Sequence, residues 1–201
     1  MTTAWPEVAL GDVAEVVSGA TPRTSIAEYW GGDICWVTPK DLSELGTSRI
    51  ADTPRKLTAA GLASCGATVL PRNSVLLSSR APIGLVSINS VPMATNQGFK
   101  SLVPRRDRLD HGYLYWWLRS NRSLLESLGR GATFKEISKG ITAGVRLPLP
   151  PIEEQRRIAA LLDHVDALRP KRNESLRLLS SMTAAIFREM FGDPATGALL
   201  A

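Results

Sequence analysis

Short apolar runs alternate with turn residues over the first hundred or so positions of the chain. The runs at 13–17, 34–37, 75–77 and 84–88 are rich in Val, Ile and Leu, and Gly, Pro, Asn and Ser separate them. This pattern is typical of the strands of a sheet. We therefore predict an α+β fold, in which a mixed or antiparallel β-sheet carries flanking helices.

Helical patterns interrupt and follow these runs. Thr58 can cap a short helix over 59–64, and Asp110 can cap a longer one over 110–128 that ends at Gly129. The longer helix has one apolar stripe at steps of three and four residues. A short polar helical stretch is expected around 134–139.

A proline-rich segment divides the chain. Pro148, Pro150 and Pro151 lie within four positions, and they favour an extended conformation because proline in a helix interior removes a backbone hydrogen bond. The sequence therefore predicts a globular domain over 1–147 and a helical region over 148–201.

The helical region carries a regular apolar stripe. Its predicted members are Ile158, Leu162, Val165, Leu168, Leu176, Leu179, Met182 and Ile186. A continuous helix over 153–190 would be roughly 57 Å long, more than the globular domain could cover. We interpret the stripe as a coiled-coil-type surface that pairs with a second copy of the chain. In the alternative, the chain folds back at Pro170 and packs the stripe on its own domain.

Charge is unevenly distributed. Residues 1–54 hold three basic and eight acidic side chains (net −5), residues 55–150 hold fourteen and four (+10), and residues 151–201 hold seven of each (0). A basic middle segment is the pattern expected where nucleic acid binds. The alternative is an ordinary basic surface that aids solubility.

Signatures of several enzyme classes are absent from the sequence. It contains no GxxxxGK[ST] phosphate loop, no GxSxG nucleophile elbow and no D-x-K or E-x-K pair of the type that two-metal nucleases use. Its two cysteines and two histidines lack the usual spacing of zinc ligands. We expect a non-catalytic protein without a metal. With no membrane span and no export signal in the sequence, we expect it in the cytoplasm with both thiols reduced.

Five segments carry a more specific pattern. They are WPEVALGDV with VSGATP (5–13 and 17–22), YWGGDICWV (29–37), SRAPIG (79–84), TNQGFK (95–100), and PLPPIEEQRRIA leading into LDHVD (148–159 and 162–166). In this order they resemble the specificity subunit of type I restriction-modification systems.

The resemblance implies a non-catalytic subunit. In that family a target-recognition domain reads one half of a split double-stranded DNA sequence, and a long helix follows it as a spacer. Full-length members carry two such units, whose helices pair antiparallel. Modification subunits, which bind S-adenosylmethionine and methylate adenine, dock around them, and ATP-driven restriction subunits can join. No cofactor is therefore expected on this chain.

With one recognition domain and one helical region, the chain corresponds to half of such a subunit. It is either a half that forms a homodimer through its helix, which we prefer, or a fragment whose second half lies elsewhere. An assembly scaffold or decoy that binds the modification subunit without reading DNA is the alternative function.

Several polar residues in predicted loops have the chemistry for DNA contacts. The predicted DNA-binding set is Arg23, Lys40, Arg80, Asn96, Gln97, Lys100, Arg130, Thr133, Lys135 and Lys139. Asn96 and Gln97 can bind adenine through their amides, or they can form an internal turn. For each basic residue the alternative is solvated surface. Trp116 and Trp117 are interpreted mainly as core residues rather than as base-stacking ones.

Overall fold

A computed structural model describes residues 5–80, 82–131 and 135–192, without the side chain of Ala184. The chain forms two compact units, of which the first extends to Ala159 and the second begins at Ala160. The described strands are β1 (Glu7–Ala9), β2 (Ala14–Ser18), β3 (Trp30–Val37), β4 (Arg49–Ile50), β5 (Lys56–Leu57), β6 (Val75–Leu77), β7 (Val86–Asn89), β8 (Ala94–Thr95), β9 (Lys100–Pro104) and β10 (Arg146–Pro148). The described helices are α1 (Leu10–Val13), α2 (Pro39–Ser43), α3 (Ala59–Ala63), α4 (His111–Ser120), α5 (Arg122–Leu128), α6 (Lys139–Gly144) and α7 (Ile152–Phe191).

Most strands of the first unit pair antiparallel. The largest sheet has the strand order β2-β9-β6-β7-β4, in which only β4 and β7 are parallel. A second sheet has the order β5-β3-β8, with β3 and β8 parallel. β1 pairs antiparallel with β10 and so joins the beginning of the unit to position 148. The predicted α+β fold with a mixed sheet is confirmed.

The core draws apolar side chains from both larger sheets. Val37 of β3, Leu76 of β6 and the fully buried Phe99 belong to one cluster. Burial of each such side chain contributes roughly 1.5–3 kcal/mol of transfer free energy. Because Phe99 directly precedes β9, its burial also fixes the loop that enters this strand.

The helix predicted over 110–128 is two helices. Asp110 caps α4 as predicted, since its carboxylate accepts hydrogen bonds from two backbone amides of the first turn. The prediction of one continuous helix is wrong at Asn121, where φ −105° and ψ 28° lie outside the helical region. The Asn121 amide group donates to the Trp117 carbonyl (2.8 Å). Leu124, in α5 beyond this break, is exposed.

The two shorter helical predictions have different outcomes. Thr58 caps α3 as predicted, because its hydroxyl accepts a hydrogen bond from the Gly61 amide (3.0 Å). The helix expected around 134–139 instead begins at Lys139. Glu136 instead forms an antiparallel bridge with Arg130 through two backbone hydrogen bonds (3.0 and 2.9 Å), and helix formation starts only after it; Phe134 lies outside the described residues.

α7 is one continuous helix of 40 residues, about 60 Å long. It passes through Pro170, so the alternative in which the chain folds back there is wrong. The proline ring removes one backbone hydrogen bond, but its fixed φ is close to the helical value and the helix can continue. The helix ends at Phe191, and Gly192 follows it with φ +82°.

The first turns of α7 belong to the globular unit. Gln155 is fully buried there, and its Nε2 donates to the carbonyls of Arg108 (2.9 Å) and Pro150 (2.8 Å). Its Oε1 accepts a hydrogen bond from the Asp110 amide (2.9 Å). Because of these bonds, the first unit includes residues beyond 147/148, the domain boundary that the prolines suggested.

Two neighbouring contacts strengthen this attachment. A Cβ at Gly112 would lie 3.0 Å from the Cβ of Ala159, so the glycine allows α4 and α7 to approach closely. The Tyr113 hydroxyl donates to the Pro148 carbonyl (2.8 Å). Burial raises the pKa of Tyr113, which keeps this hydroxyl protonated as a donor.

Replacing Gln155 tests the attachment. Gln155→Leu removes three hydrogen bonds and leaves two carbonyls and one amide without their partner. We expect the free energy of unfolding to fall by about 3 kcal/mol or more, since each buried unpaired group costs about 1–3 kcal/mol. Urea denaturation of the purified protein measures this. Arg156→Leu, at the adjacent exposed position, should change the same free energy by less than about 1 kcal/mol. A Gln155→Leu protein as stable as this control would contradict the prediction.

Candidate nucleic-acid interface

Several strands of the first unit end at a common edge. β2 and β9 pair so that Ser18 lies opposite Lys100, and the pairing of β6 with β9 brings the end of β6 to the same side. β3 and β8 are parallel, so that Val37 and Thr95 end together. The loops beyond these strands therefore lie side by side. We call residues 19–23, 38–40, 78–80, 96–99, 130 and 135–137 the loop cluster.

Short backbone hydrogen bonds join these loops. The Ser79 amide donates to the Gly98 carbonyl (2.7 Å), and the Ile137 amide donates to the Ser79 carbonyl (2.9 Å). The Ala20 amide donates to the Thr95 carbonyl (2.9 Å). At Gly19 a Cβ would lie 2.0 Å from the Asn96 carbonyl oxygen, so no larger residue fits without displacing the neighbouring loop. The loop cluster is thus one connected framework, although its parts are distant in sequence.

A carboxylate lies at the centre of the loop cluster. Glu136 Oε1 is 2.8 Å from Lys100 Nζ, and Glu136 Oε2 is 4.0 Å from Arg80 Nη1. Lys100 is only 8% exposed. Its charge is therefore neutralised inside the framework, and Lys100, unlike an exposed cation, has little surface to offer a DNA phosphate. Sequence reasoning missed Glu136, because the pair joins residues 36 positions apart and neither residue signals the other.

The amide pair predicted to read bases is divided between two roles. Asn96 Oδ1 accepts a hydrogen bond from the Gly98 amide (2.9 Å), which is the internal turn of the alternative interpretation. Gln97 is exposed, and its Oε1 accepts a hydrogen bond from the Thr21 hydroxyl. Gln97 therefore lies at the surface of the loop cluster, whereas the Asn96 oxygen belongs to its framework.

Most of the other predicted basic residues lie exposed in or beside the loop cluster. Arg23, Lys40, Arg130 and Lys135 are exposed, and Lys40 also forms an ion pair with Glu44 (3.7 Å). Arg80 is half-buried. Thr133 lies outside the described residues. Lys139 lines a separate groove of about 580 Å³ beside β2 and β9, together with Glu15 and Arg105.

A second group of basic residues lies at the opposite ends of the same strands. Arg72 precedes β6, and the Arg106 guanidinium donates to the Arg72 carbonyl (3.3 Å). Arg49 reaches Asn73 Oδ1 (3.3 Å) at this end. Part of the positive charge that the sequence concentrates between 55 and 150 therefore lies at the opposite end of the sheet from the loop cluster, at Arg72 and Arg106.

The second unit exposes the predicted stripe. Val165, Leu168, Leu176, Leu179, Met182 and Ile186 are each 45–59% exposed, while Ile158 and Leu162 are half-buried. Leu161, Leu178, Phe187, Met190 and Phe191 add further exposed apolar surface. The helix presents an apolar face of a size that single exposed residues do not explain.

The described residues give no sign of metal or membrane chemistry. Within residues 5–80, 82–131 and 135–192, no group of three or more His, Cys, Asp or Glu side chains could hold a metal ion. Cys35 and Cys65 are free thiols. None of the helices described combines the length and apolarity that a membrane span needs.

The two adjacent tryptophans of α4 belong to the protein interior rather than to an open surface. Trp116 is buried in α4 as predicted, and Trp117 is half-buried.

Comparisons with known proteins point to one family. Residues 3–178 match the sequence profile of the type I restriction modification DNA specificity domain. The chain is 36% identical over 191 residues to the MjaIX type I restriction enzyme specificity subunit of Methanocaldococcus jannaschii, covering 94% of this chain and 44% of that protein. The chain thus spans less than half the length of this relative.

Solved structures agree with the sequence match. One, from work on complex assembly and conformational transition of the type I R-M system, has a TM-score of 0.71 and 28% identity, covering 94% of this chain and 46% of the other. The HsdS subunit from Thermoanaerobacter tengcongensis has a TM-score of 0.66 and 26% identity, over 87% and 40% of the two chains. With a profile match over most of its length and with the same fold, this chain belongs to the type I restriction-modification DNA specificity family.

Proposed function

We propose that the chain is a DNA-recognition subunit of a type I restriction-modification system, in which the loop cluster reads one half of a split double-stranded target. The observation that carries the proposal is the convergence of Arg23, Gln97, Arg130 and Lys135 at one edge of the sheets. These side chains supply both a base-reading amide and phosphate-binding cations. The family membership supports the same function.

The internal ion pair of the loop cluster fits this role. Glu136 neutralises Lys100 within the framework, which leaves the exposed cations around it to face a polyanion. A surface whose loops are fixed by hydrogen bonds can bind phosphates without rearranging its backbone, which lowers the entropic cost of binding.

The chemistry of modification belongs, in this proposal, to partner subunits. The chain itself is non-catalytic and holds no cofactor, while a modification subunit supplies S-adenosylmethionine and a restriction subunit, where it joins, supplies ATP-dependent activity. We place the assembly in the cytoplasm, where its DNA substrate lies.

A second copy of the chain is the proposed partner of α7. The exposed stripe repeats at three- and four-residue steps over most of the helix, and such a stripe is covered by a matching helix in coiled coils. A symmetric pair would present two loop clusters to the two halves of a split target.

The scaffold function remains the competing hypothesis. A scaffold or decoy would use α7 and the first unit to bind the modification subunit but would not read DNA. The exposed cations of the loop cluster favour the recognition function, because a scaffold has no need of them at one edge.

Charge reversal at the loop cluster separates the two functions. We expect Arg130→Glu with Lys135→Glu to weaken binding to duplex DNA by roughly tenfold or more, and to lower the salt slope by about one for each phosphate that the variant no longer neutralises. Binding is measured by fluorescence anisotropy at several salt concentrations, with the modification subunit present.

The matched control is Arg72→Glu with Arg106→Glu, which changes net charge equally at the opposite end of the sheet. We expect this control to weaken DNA binding clearly less than the Arg130→Glu, Lys135→Glu variant does. Equal weakening in the two double variants would mean that only overall charge matters. Unchanged DNA binding with retained capture of the modification subunit would favour the scaffold.

Substitutions on the stripe test the homodimer. We expect the purified chain to have the mass of a dimer by light scattering, and Leu176→Lys with Leu179→Lys to give the mass of a monomer, because two charges would be buried in the pairing surface. Ala167→Lys with Ser181→Lys, at exposed positions off the stripe, should leave the dimer intact. A wild-type monomer would refute pairing with a second copy.

A further inference from the structure

An exposed arginine beside the loop cluster is held in a fixed orientation. The guanidinium carbon of Arg55 lies 3.8 Å from the centroid of the Trp30 ring and 4.8 Å from that of the Trp36 ring. The two indoles meet edge to face, with centroids 5.0 Å apart. Arg55 itself is exposed, so its polar edge is open to solvent while its position is set by the rings.

The same two indoles hold a loop of the loop cluster. Trp36 Nε1 donates to the Ala20 carbonyl (3.0 Å), and Trp30 Nε1 lies 3.4 Å from the Arg23 carbonyl oxygen that it faces. The Trp36 backbone amide also donates to the Arg55 carbonyl (3.2 Å). Arg55 is therefore connected to the 19–23 loop through shared partners and lies at the rim of the loop cluster.

Nearby acidic groups do not neutralise Arg55. The carboxylate closest to it in sequence, Asp52, forms an ion pair with Lys56 (3.0 Å). The hydrogen bond from Lys56 lowers the pKa of Asp52 and keeps it charged for that partner. Within the part of the chain that the structure describes, no carboxylate lies within ion-pair distance of Arg55.

A stacked guanidinium of this type is suited to recognition. Cation–π contact fixes the plane of the group and leaves its N–H donors at the edge. A side chain ordered before binding loses less entropy when it meets its ligand. In the major groove the paired donors of arginine match the O6 and N7 acceptors of guanine.

We propose that Arg55 is a specificity-determining residue that contacts a guanine of the DNA target, with Trp30 and Trp36 as the residues that position it. This inference rests on the proposed function, since it assumes that the loop cluster faces the major groove. It adds a base-reading residue that lies outside the predicted DNA-binding set and outside the segments resembling the family.

The test compares base preference rather than affinity alone. The protein, with its modification subunit present, selects sequences from a random duplex pool, and affinity is then measured for the selected site and for the same site with each G·C pair replaced by A·T. For the wild type we expect one guanine whose replacement weakens binding on the order of 10- to 100-fold. In Arg55→Gln that ratio should fall close to one at this position and remain unchanged at the others.

Two further variants make the result specific. Arg49→Gln removes an equal charge at the opposite end of the sheet and should leave every ratio unchanged. Trp30→Leu keeps Arg55 but removes the ring beneath it, and it should lower the ratio at the same guanine. Thermal unfolding of each variant, within a few degrees of the wild type, establishes that the fold is intact.

The outcomes distinguish this inference from the function on which it rests. If the wild type selects no motif, the proposed function itself fails. If it selects a motif and Arg55→Gln keeps every ratio, the inference is overturned while the function stands. A variant whose affinity falls by the same factor for every sequence would show that Arg55 contacts a phosphate, and this result would also overturn the inference.

Discussion

The buried carboxamide of Gln155 links three backbone segments of the first unit to the start of α7. A single side chain uses both of its donors and its acceptor on three backbone groups, which come from the segment after β9, the proline segment and the cap of α4. No apolar residue can replace it, because those backbone groups would then be buried without partners. The start of the long helix is consequently a part of the globular fold rather than an attachment to it.

This arrangement places the attachment of α7 and the proposed DNA-reading site at opposite ends of β9. Gln155 lies near Arg108 and Asp110, beyond the end of β9, whereas the loop cluster lies beyond its beginning at Lys100. Residues at one end of a strand can therefore change while the hydrogen bonds at the other end persist. A protein that must read different DNA sequences yet keep a constant assembly surface benefits from such a division.

Local signals in the sequence predicted local structure well. The caps at Thr58 and Asp110 depend on hydrogen bonds within three residues, and the structure contains both. The apolar stripe of α7 was predictable for the same reason, since it follows from helical periodicity alone. The break at Asn121 was not predictable, because the local preference there is weak enough for surrounding structure to decide. At Pro170 the sequence left a fold-back open beside the preferred continuous helix, because proline disfavours a helix interior; the structure has the continuous helix.

The candidate site was predictable in composition but not in the roles of its members. Residue chemistry placed Lys100 and Gln97 in one class of candidate, yet one is neutralised by Glu136 inside the loop cluster and the other is exposed at its surface. Which role each takes depends on pairings across the sheets, and these have no periodicity along the chain. Arg55 is the converse case: it is a proposed site residue that sequence reasoning did not select, since it lies outside the segments with a recognisable pattern. Its significance arises only from the two indoles that the fold brings beneath it.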